Sequence, residues 1–133
     1  MRVNKRTGTA ILIFSLLLAA ASTAGQKQKK PDPCADAQTQ YEMTQCAGQE
    51  YKAADAVLNQ VYRQFVAKLD DEEKAQLKEA QTAWLKYRDS NCDFVADQFK
   101  GGTMRPMVYA FCLADVTKNR TTELKNQIKE REP

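Results

Sequence analysis

The side chains that carry most enzyme chemistry are sparse in this 133-residue sequence, which contains four cysteines and no histidine. Histidine is the commonest general base and metal ligand, so its absence excludes any serine or cysteine triad built on imidazole. Glu50 and Asp55 have the residue types of a glycosidase acid and base, but five residues of helix put them on diverging faces. We therefore expect a binding protein rather than an enzyme, with no cofactor and no metal site.

The N-terminus has the layout of a secretory signal peptide. Three basic residues among the first six precede an apolar run over residues 10–21, and small residues stand at 22 and 24. This run of twelve residues is shorter than the roughly 20 that a membrane span needs. We predict a signal peptide over residues 1–24 and no lipid-anchor cysteine at the junction. The mature protein is then periplasmic or secreted, without a membrane anchor.

The distribution of charge argues against a nucleic-acid partner. The formal charge of +3 belongs to the signal peptide, because residues 1–24 contain three basic residues and no acidic one. From residue 34 onward there are 14 basic and 16 acidic residues, whereas a nonspecific polyanion binder needs a basic face. The overall balance of the mature chain offers no such face.

Export also predicts the state of the four cysteines. Outside the cytosol they are expected to form two disulfides. Eleven residues separate Cys34 from Cys46 and nineteen separate Cys92 from Cys112, which is wider than the ligand pairs of a structural zinc site. We therefore favour disulfides over a metal.

Helical periodicity dominates the sequence after a short lead-in. Residues 25–33 include two prolines and are expected to be disordered or extended, ahead of a domain over residues 34–130. No alternating stretch favours a strand. The sequence predicts an all-α antiparallel three-helix bundle with a short N-terminal helical turn near residues 36–46.

Helix boundaries follow from a few residues. The first helix should end near Leu69, and Asp70 with Glu73 forms a capping box for the second. Gly101-Gly102 should end the second helix, and Pro106 suits the first turn of the third. The residues expected to face the core are Ala54, Leu58, Val61, Tyr62, Phe65 and Leu69, then Leu77, Ala80, Trp84, Tyr87, Asn91, Phe94, Val95 and Phe99, then Val108, Phe111, Cys112, Val116, Leu124 and Ile128.

Helix geometry favours two particular bridges. Cys92 and Cys112 lie at similar distances from the glycine pair, so antiparallel helices bring them level. In one continuous helix Cys34 and Cys46 would lie about 18 Å apart, whereas a disulfide needs Cα atoms within roughly 7 Å. We favour Cys34–Cys46, which requires the chain to break between them. The alternative is for both to cross to the other hairpin.

Four segments together resemble the lysozyme-inhibitor LprI-like family of small exported bacterial domains. They are PCADAQTQYEMTQCAGQEYKAADAVLNQVY, LKEAQTAWLKYRDSNC, the glycine pair and CLADVTKNRTTEL, which span Cys34 to about Leu124. The matching positions are Cys34, Glu42, Met43, Cys46, Ala47, Asp55, Leu58, Asn59, Tyr62, Gln81, Trp84, Arg88, Asp89, Cys92, Cys112, Leu113, Thr117, Arg120 and Leu124. The resemblance implies a four-cysteine helical domain that binds and blocks a lysozyme.

Several matching residues are expected to be structural. Asp55, Arg88 and Arg120 lie beside apolar stripes and should form interhelical ion pairs, since buried charges need partners. Trp84, the only tryptophan, is interpreted as a core aromatic rather than a carbohydrate platform. Asn59 belongs with this structural polar group.

The best candidate for partner binding is the segment between the last two helices. It contains Lys100, Gly101, Gly102, Thr103, Met104 and Arg105, and we expect the last three to lie at its exposed tip. A braced loop carrying a cation could enter the acidic groove of a lysozyme, with preorganisation lowering the entropy lost on binding. The alternative interpretation is an ordinary turn.

The expected partner is thus a lysozyme or another peptidoglycan-degrading enzyme. Two alternatives stay open: a periplasmic interaction or envelope module, and an immunity protein against a wall-degrading toxin. The oligomeric state is not predicted.

Overall fold

The computed structural model describes residues 34–132. The signal peptide and the lead-in that we predict before residue 34 lie outside the described residues. Three long helices account for most of the described chain, and it contains no strand: α1 is Gln40–Val66, α2 is Asp71–Asp97 and α3 is Arg105–Glu130. The all-α three-helix prediction is confirmed.

Local side-chain signals set the helix ends. Thr39 and Glu42 form a capping box at the start of α1, and Asp70 with Glu73 forms the predicted one at the start of α2. Pro106 lies in the first turn of α3 as expected, where its missing N–H costs no helical hydrogen bond. The short turn predicted near residues 36–46 begins earlier, where the Ala37 N–H donates to the Cys34 carbonyl. Most of segment 36–46 belongs to α1, because that helix begins at Gln40.

Cross-helix contacts define the direction of each helix. Gln40 and Glu50 of α1 contact Met107 and Lys118 of α3 in the same order, so α1 and α3 run parallel. The ion pair between Lys68, just after α1, and Glu132, just after α3, continues this order. In contrast, Arg120 contacts Gln81 while Cys112 contacts Cys92, so α2 runs antiparallel to α3. Helix α3 packs against both other helices and is the central element.

The apolar core lies toward the end of the bundle that contains the connection between α1 and α2. Its buried residues are Leu58, Val61, Phe65, Leu69, Leu77 and Leu124, with Tyr62, Val66, Trp84 and Ile128 packed against them. Each fully buried side chain of this size contributes about 1.5–3 kcal/mol to folding. The stripe predicted along α1 is therefore the main core surface.

The face predicted for α2 is wrong at three positions. Ala80 is exposed, Tyr87 exposes 57% of its surface and Phe94 exposes 82%. The buried residues of α2 are instead Leu77, Arg88, Cys92 and Ala96. The disulfide from Cys92 to α3 fixes which face of α2 turns inward, and it turns Phe94 outward. In α3, the fully inward positions are Leu113, Ala114, Thr117, Thr121 and Leu124, with the other predicted residues half-buried.

Both favoured disulfides are confirmed. Cys34–Cys46 and Cys92–Cys112 each have a Cα–Cα distance of 5.5 Å. The first is possible because α1 begins only at Gln40, which supplies the required break between its two cysteines. The second joins α2 to α3 within three turns of the loop between them.

Candidate functional site

Two arginine-centred groups stand out, one buried in the bundle and one at its end. The first, which we call the Arg88 cluster, comprises Tyr51, Asp55, Trp84, Arg88 and Asp89. The Arg88 guanidinium lies 5.4 Å from the ring centroids of both Tyr51 and Trp84. The cluster connects α1, which carries Tyr51 and Asp55, to α2, which carries Trp84, Arg88 and Asp89.

Charge pairing in the Arg88 cluster is unequal. Arg88 donates to the Asp89 carboxylate at 2.8 Å, whereas its Nη1 lies 3.6 Å from Asp55 Oδ1. Arg88 is only 7% exposed and Nη1 is fully buried without a hydrogen-bond partner in the described part of the chain. The ion pair expected between Asp55 and an arginine is present, but as a contact longer than a hydrogen bond.

The remaining structural polar residues surround this cluster. Arg120 lies 5.9 Å from the Trp84 ring and donates to Gln81 Oε1 of α2 at 3.1 Å. Its ion pair, at 2.9 Å, is with Glu123 of its own helix, so the expected interhelical ion pair is replaced by the hydrogen bond to Gln81. Asn59 is exposed and donates to Asp55 Oδ2 at 2.9 Å. Trp84 is half-buried against the core, with an arginine on its ring from each of two helices. These contacts fit a role in holding the helices in register.

Two tyrosines near the cluster have perturbed acidity. Burial raises the pKa of Tyr51, with the nearby Asp55 and Asp89 carboxylates adding to the effect and Arg88 opposing it. Burial likewise raises the pKa of Tyr109, helped by Asp89 and Asp93. Both hydroxyls therefore stay protonated at neutral pH, and neither is prepared as a base or nucleophile.

The second group is at the opposite end of the bundle from the apolar core. The tip loop, defined here as residues 98–104, joins α2 to α3. The Lys100 N–H donates to the Asp97 carbonyl at 3.0 Å, and the Gly102 N–H donates to the Phe99 carbonyl at 2.9 Å. Gly101 has a φ of 81°, a left-handed conformation that favours glycine. The loop is thus a tight, hydrogen-bonded turn rather than a loose connection.

Arg105 belongs to the base of this loop and not to its exposed end, where we expected it. It is the first residue of α3, and its guanidinium turns back toward α2. Nε and Nη2 donate to Asp97 Oδ1 at 3.0 and 2.9 Å, and Nη2 also donates to Asp93 Oδ1 at 3.0 Å. These hydrogen bonds, Asp97 first, raise the pKa of Arg105 above its already high value. The Tyr109 ring lies 6.0 Å away.

The other residues of the predicted binding segment are exposed. Lys100, Gly101, Gly102, Thr103 and Met104 all face solvent. Lys100 makes no ion pair with any residue between 34 and 132. Lys100 is therefore the exposed cation of the tip loop, whereas Arg105 is hydrogen-bonded to Asp93 and Asp97 within the domain.

Sequence reasoning missed several members of both groups. Tyr51, Tyr109 and the aspartates Asp93 and Asp97 were not singled out. The i, i+4 spacing of Asp93 and Asp97 is the available signal, since two such carboxylates share one helix face and can meet one arginine. No comparable signal places Tyr51 beside Arg88, because that contact depends on how α1 and α2 are arranged.

Within residues 34–132, no group of three or more cysteine, aspartate or glutamate side chains is arranged to hold a metal ion. None of the three helices in this range combines the length and apolar character required to cross a bilayer.

These features define a class: a small three-helix domain with two disulfides and a braced loop at one end. The profile of the family described as "Lysozyme inhibitor LprI" matches residues 32–124. The chain belongs to the LprI family. It is also 40% identical over 125 residues to a protein of Rhizobium meliloti (strain 1021) described as uncharacterized, covering 84% of this chain and 89% of that one. No solved structure matches the chain.

Proposed function

We propose that this protein is a non-enzymatic, exported inhibitor that binds a lysozyme or related peptidoglycan-degrading enzyme through its tip loop. The observation that carries the proposal is membership of a family described as lysozyme inhibitors, over residues 32–124. The tip loop supplies the complementary feature, an exposed cation on a hydrogen-bonded turn.

The chemistry of the target suits this loop. Lysozymes cleave a glycosidic bond with two carboxyl groups that flank the scissile bond inside a groove. The Lys100 ammonium is exposed and compact enough to lie between such carboxylates, where it would displace substrate and pair with both charges. Because the turn is already formed, little conformational entropy is lost on binding.

An exposed aromatic residue close to the tip loop also favours this end of the bundle as the binding surface. Phe94 exposes 82% of its surface and lies three residues before Asp97, which contacts Arg105. Aromatic residues are enriched at protein interfaces, and an isolated one on a rigid helix adds contact area at low entropic cost. Phe94 would contact the rim of the groove while Lys100 enters it.

The remaining parts of the proposal concern location and chemistry. The protein acts in the periplasm or outside the cell after loss of residues 1–24, with no membrane anchor, cofactor or nucleic-acid partner. The chemistry belongs to the lysozyme, and the inhibitor contributes a shaped surface.

The test is inhibition of peptidoglycan hydrolysis by the oxidised mature chain, titrated against several classes of lysozyme. We expect inhibition of at least one class, loss of inhibition on reduction of both disulfides, and at least tenfold weaker inhibition for Lys100→Glu, since reversing the charge converts attraction into repulsion. A matched Lys125→Glu variant, which changes an exposed lysine far from the loop, should inhibit normally. Absence of inhibition and of lysozyme capture in every class would overturn the proposal and favour an envelope module or an immunity protein.

A further inference from the structure

The contacts of Arg105 point to a role that differs from contact with a partner. Its guanidinium makes three hydrogen bonds to two carboxylates of α2, from Asp93 and Asp97. Those carboxylates are one turn apart and about half exposed, and Arg105 itself is one-third exposed. A guanidinium held by two carboxylates would lose both of them on entering another acidic site.

The position of these bonds in the chain matters as much as their number. Asp97 is the last residue of α2 and Arg105 is the first residue of α3, so the pair spans the tip loop. The backbone carbonyl of the same Asp97 accepts the N–H of Lys100. One residue therefore connects the ion pair at the base of the loop to the backbone that carries Lys100.

We propose that Arg105 is a positioning residue, a latch that closes the base of the tip loop through Asp93 and Asp97 and so presents Lys100 to the partner's carboxylates. The role of Lys100 rests on the proposed function, whereas the latch is a property of the free protein. Removing the latch lets the loop sample open conformations, and binding then has to reorder it.

Hydrogen exchange of the free, oxidised mature chain tests the latch without any lysozyme. We expect Arg105→Gln, and separately the double variant Asp93→Asn/Asp97→Asn, to speed exchange of the Lys100 and Gly102 amides by about three- to tenfold, as expected for loss of an exposed ion-pair network. Lys100→Gln, and Asp115→Asn as a control outside the loop, should leave the protection of these amides unchanged. Unchanged exchange in Arg105→Gln would overturn the latch.

Inhibition by the same variants separates a latch from a direct contact. If Arg105 is a latch, the Asp93→Asn/Asp97→Asn variant inhibits more weakly than the parent, by about the same factor as Arg105→Gln, and combining the changes adds nothing further. If Arg105 instead touches the lysozyme, neutralising the two aspartates frees it, and inhibition stays equal or becomes tighter. That second outcome would overturn the inference.

Lys100→Gln completes the separation, since it should weaken inhibition while leaving loop exchange unchanged. Arg105→Lys keeps the positive charge but not the forked geometry of the guanidinium. Its loop amides should therefore be better protected than those of Arg105→Gln but less protected than those of the parent. A parent protein that inhibits no lysozyme would remove the proposed function and the role of Lys100. The exchange data would still decide whether the latch exists.

Discussion

Arg88 and Arg105 make similar contacts in very different surroundings. Each guanidinium faces two aspartate carboxylates and lies within 6.0 Å of an aromatic ring centroid. Arg88 is 7% exposed and contacts carboxylates on two helices, whereas Arg105 lies at the end of the bundle and contacts carboxylates of α2 alone. The same chemistry holds the helices together in one place and closes a loop in the other.

Burial accounts for the difference in what each arginine does. Around Arg105, water screens the charges, so the ion pairs organise a local segment more than they stabilise the fold. The buried side chain of Arg88 packs against the rings of Tyr51 and Trp84, so truncating it would leave a cavity between them. Stability should therefore depend on Arg88, and the conformation of the tip loop on Arg105.

The largest effect is expected from Arg88→Ala. Losing the stacked guanidinium and its stem should lower the free energy of unfolding by about 2–4 kcal/mol. Arg88→Met should lose less, because it keeps a long side chain while removing the charge. Urea denaturation of the oxidised chain measures both.

Arg105→Ala is the matched control for this prediction, since it truncates the same side chain in the exposed group. The urea concentration at its unfolding midpoint should stay much closer to the parent value than that of Arg88→Ala does. Equal losses at the two sites would show that burial does not distinguish them.

The fold was largely predictable from the sequence. Helical spacing and the Asp70–Glu73 capping box predict the helices, except that α2 ends at Asp97 rather than at the glycine pair. The distances of the cysteines from the helix breaks predict the two bridges. These signals are local in sequence, so they can be interpreted without knowing how the helices pack.

The candidate site was less predictable, because its contacts join distant parts of the chain. Hydrophobicity alone places Phe94 in the core, yet Phe94 is exposed; Arg88 is buried, as its expected structural ion pair requires. Ring stacking makes the burial of Arg88 possible, and that depends on Tyr51 from another helix. The i, i+4 spacing of Asp93 and Asp97 indicates that they share one helix face, but that Arg105 is their partner follows only from the packing of α2 beside α3.

A smaller effect is expected from Asp55→Asn. The carboxylate is 3.6 Å from Arg88 and its side chain is 38% exposed, so screening should limit the loss to about 0.5–1 kcal/mol. Thermal unfolding of the oxidised chain is the measurement. Asp115→Asn removes the same charge from a carboxylate whose side chain is 76% exposed and should leave the melting temperature unchanged. An unchanged melting temperature for Asp55→Asn as well would remove Asp55 from the Arg88 cluster.

The smallest effect concerns a carboxylate outside both arginine groups. Backbone N–H groups of Gln38 and Thr39 hydrogen-bond to Glu42 and lower its pKa. A lowered carboxyl pKa stabilises the folded state fully above the ordinary glutamate value of about 4.3, and the contribution is lost as pH falls through the lowered pKa. Fraying of the first turn of α1 should follow that titration in NMR spectra. Glu42→Gln should abolish this pH dependence, and fraying that begins above the ordinary value would contradict the assignment.

The most direct measurement is a binding footprint by NMR on the labelled, oxidised chain with an inhibited lysozyme. Binding through the tip loop predicts that the largest shifts fall on residues 98–104 and on Phe94, with the Trp84 indole and the Arg88 side chain unperturbed. A footprint centred on Trp84 and the neighbouring Arg120, with the tip loop unchanged, would contradict the account and make the Arg88 cluster the binding site.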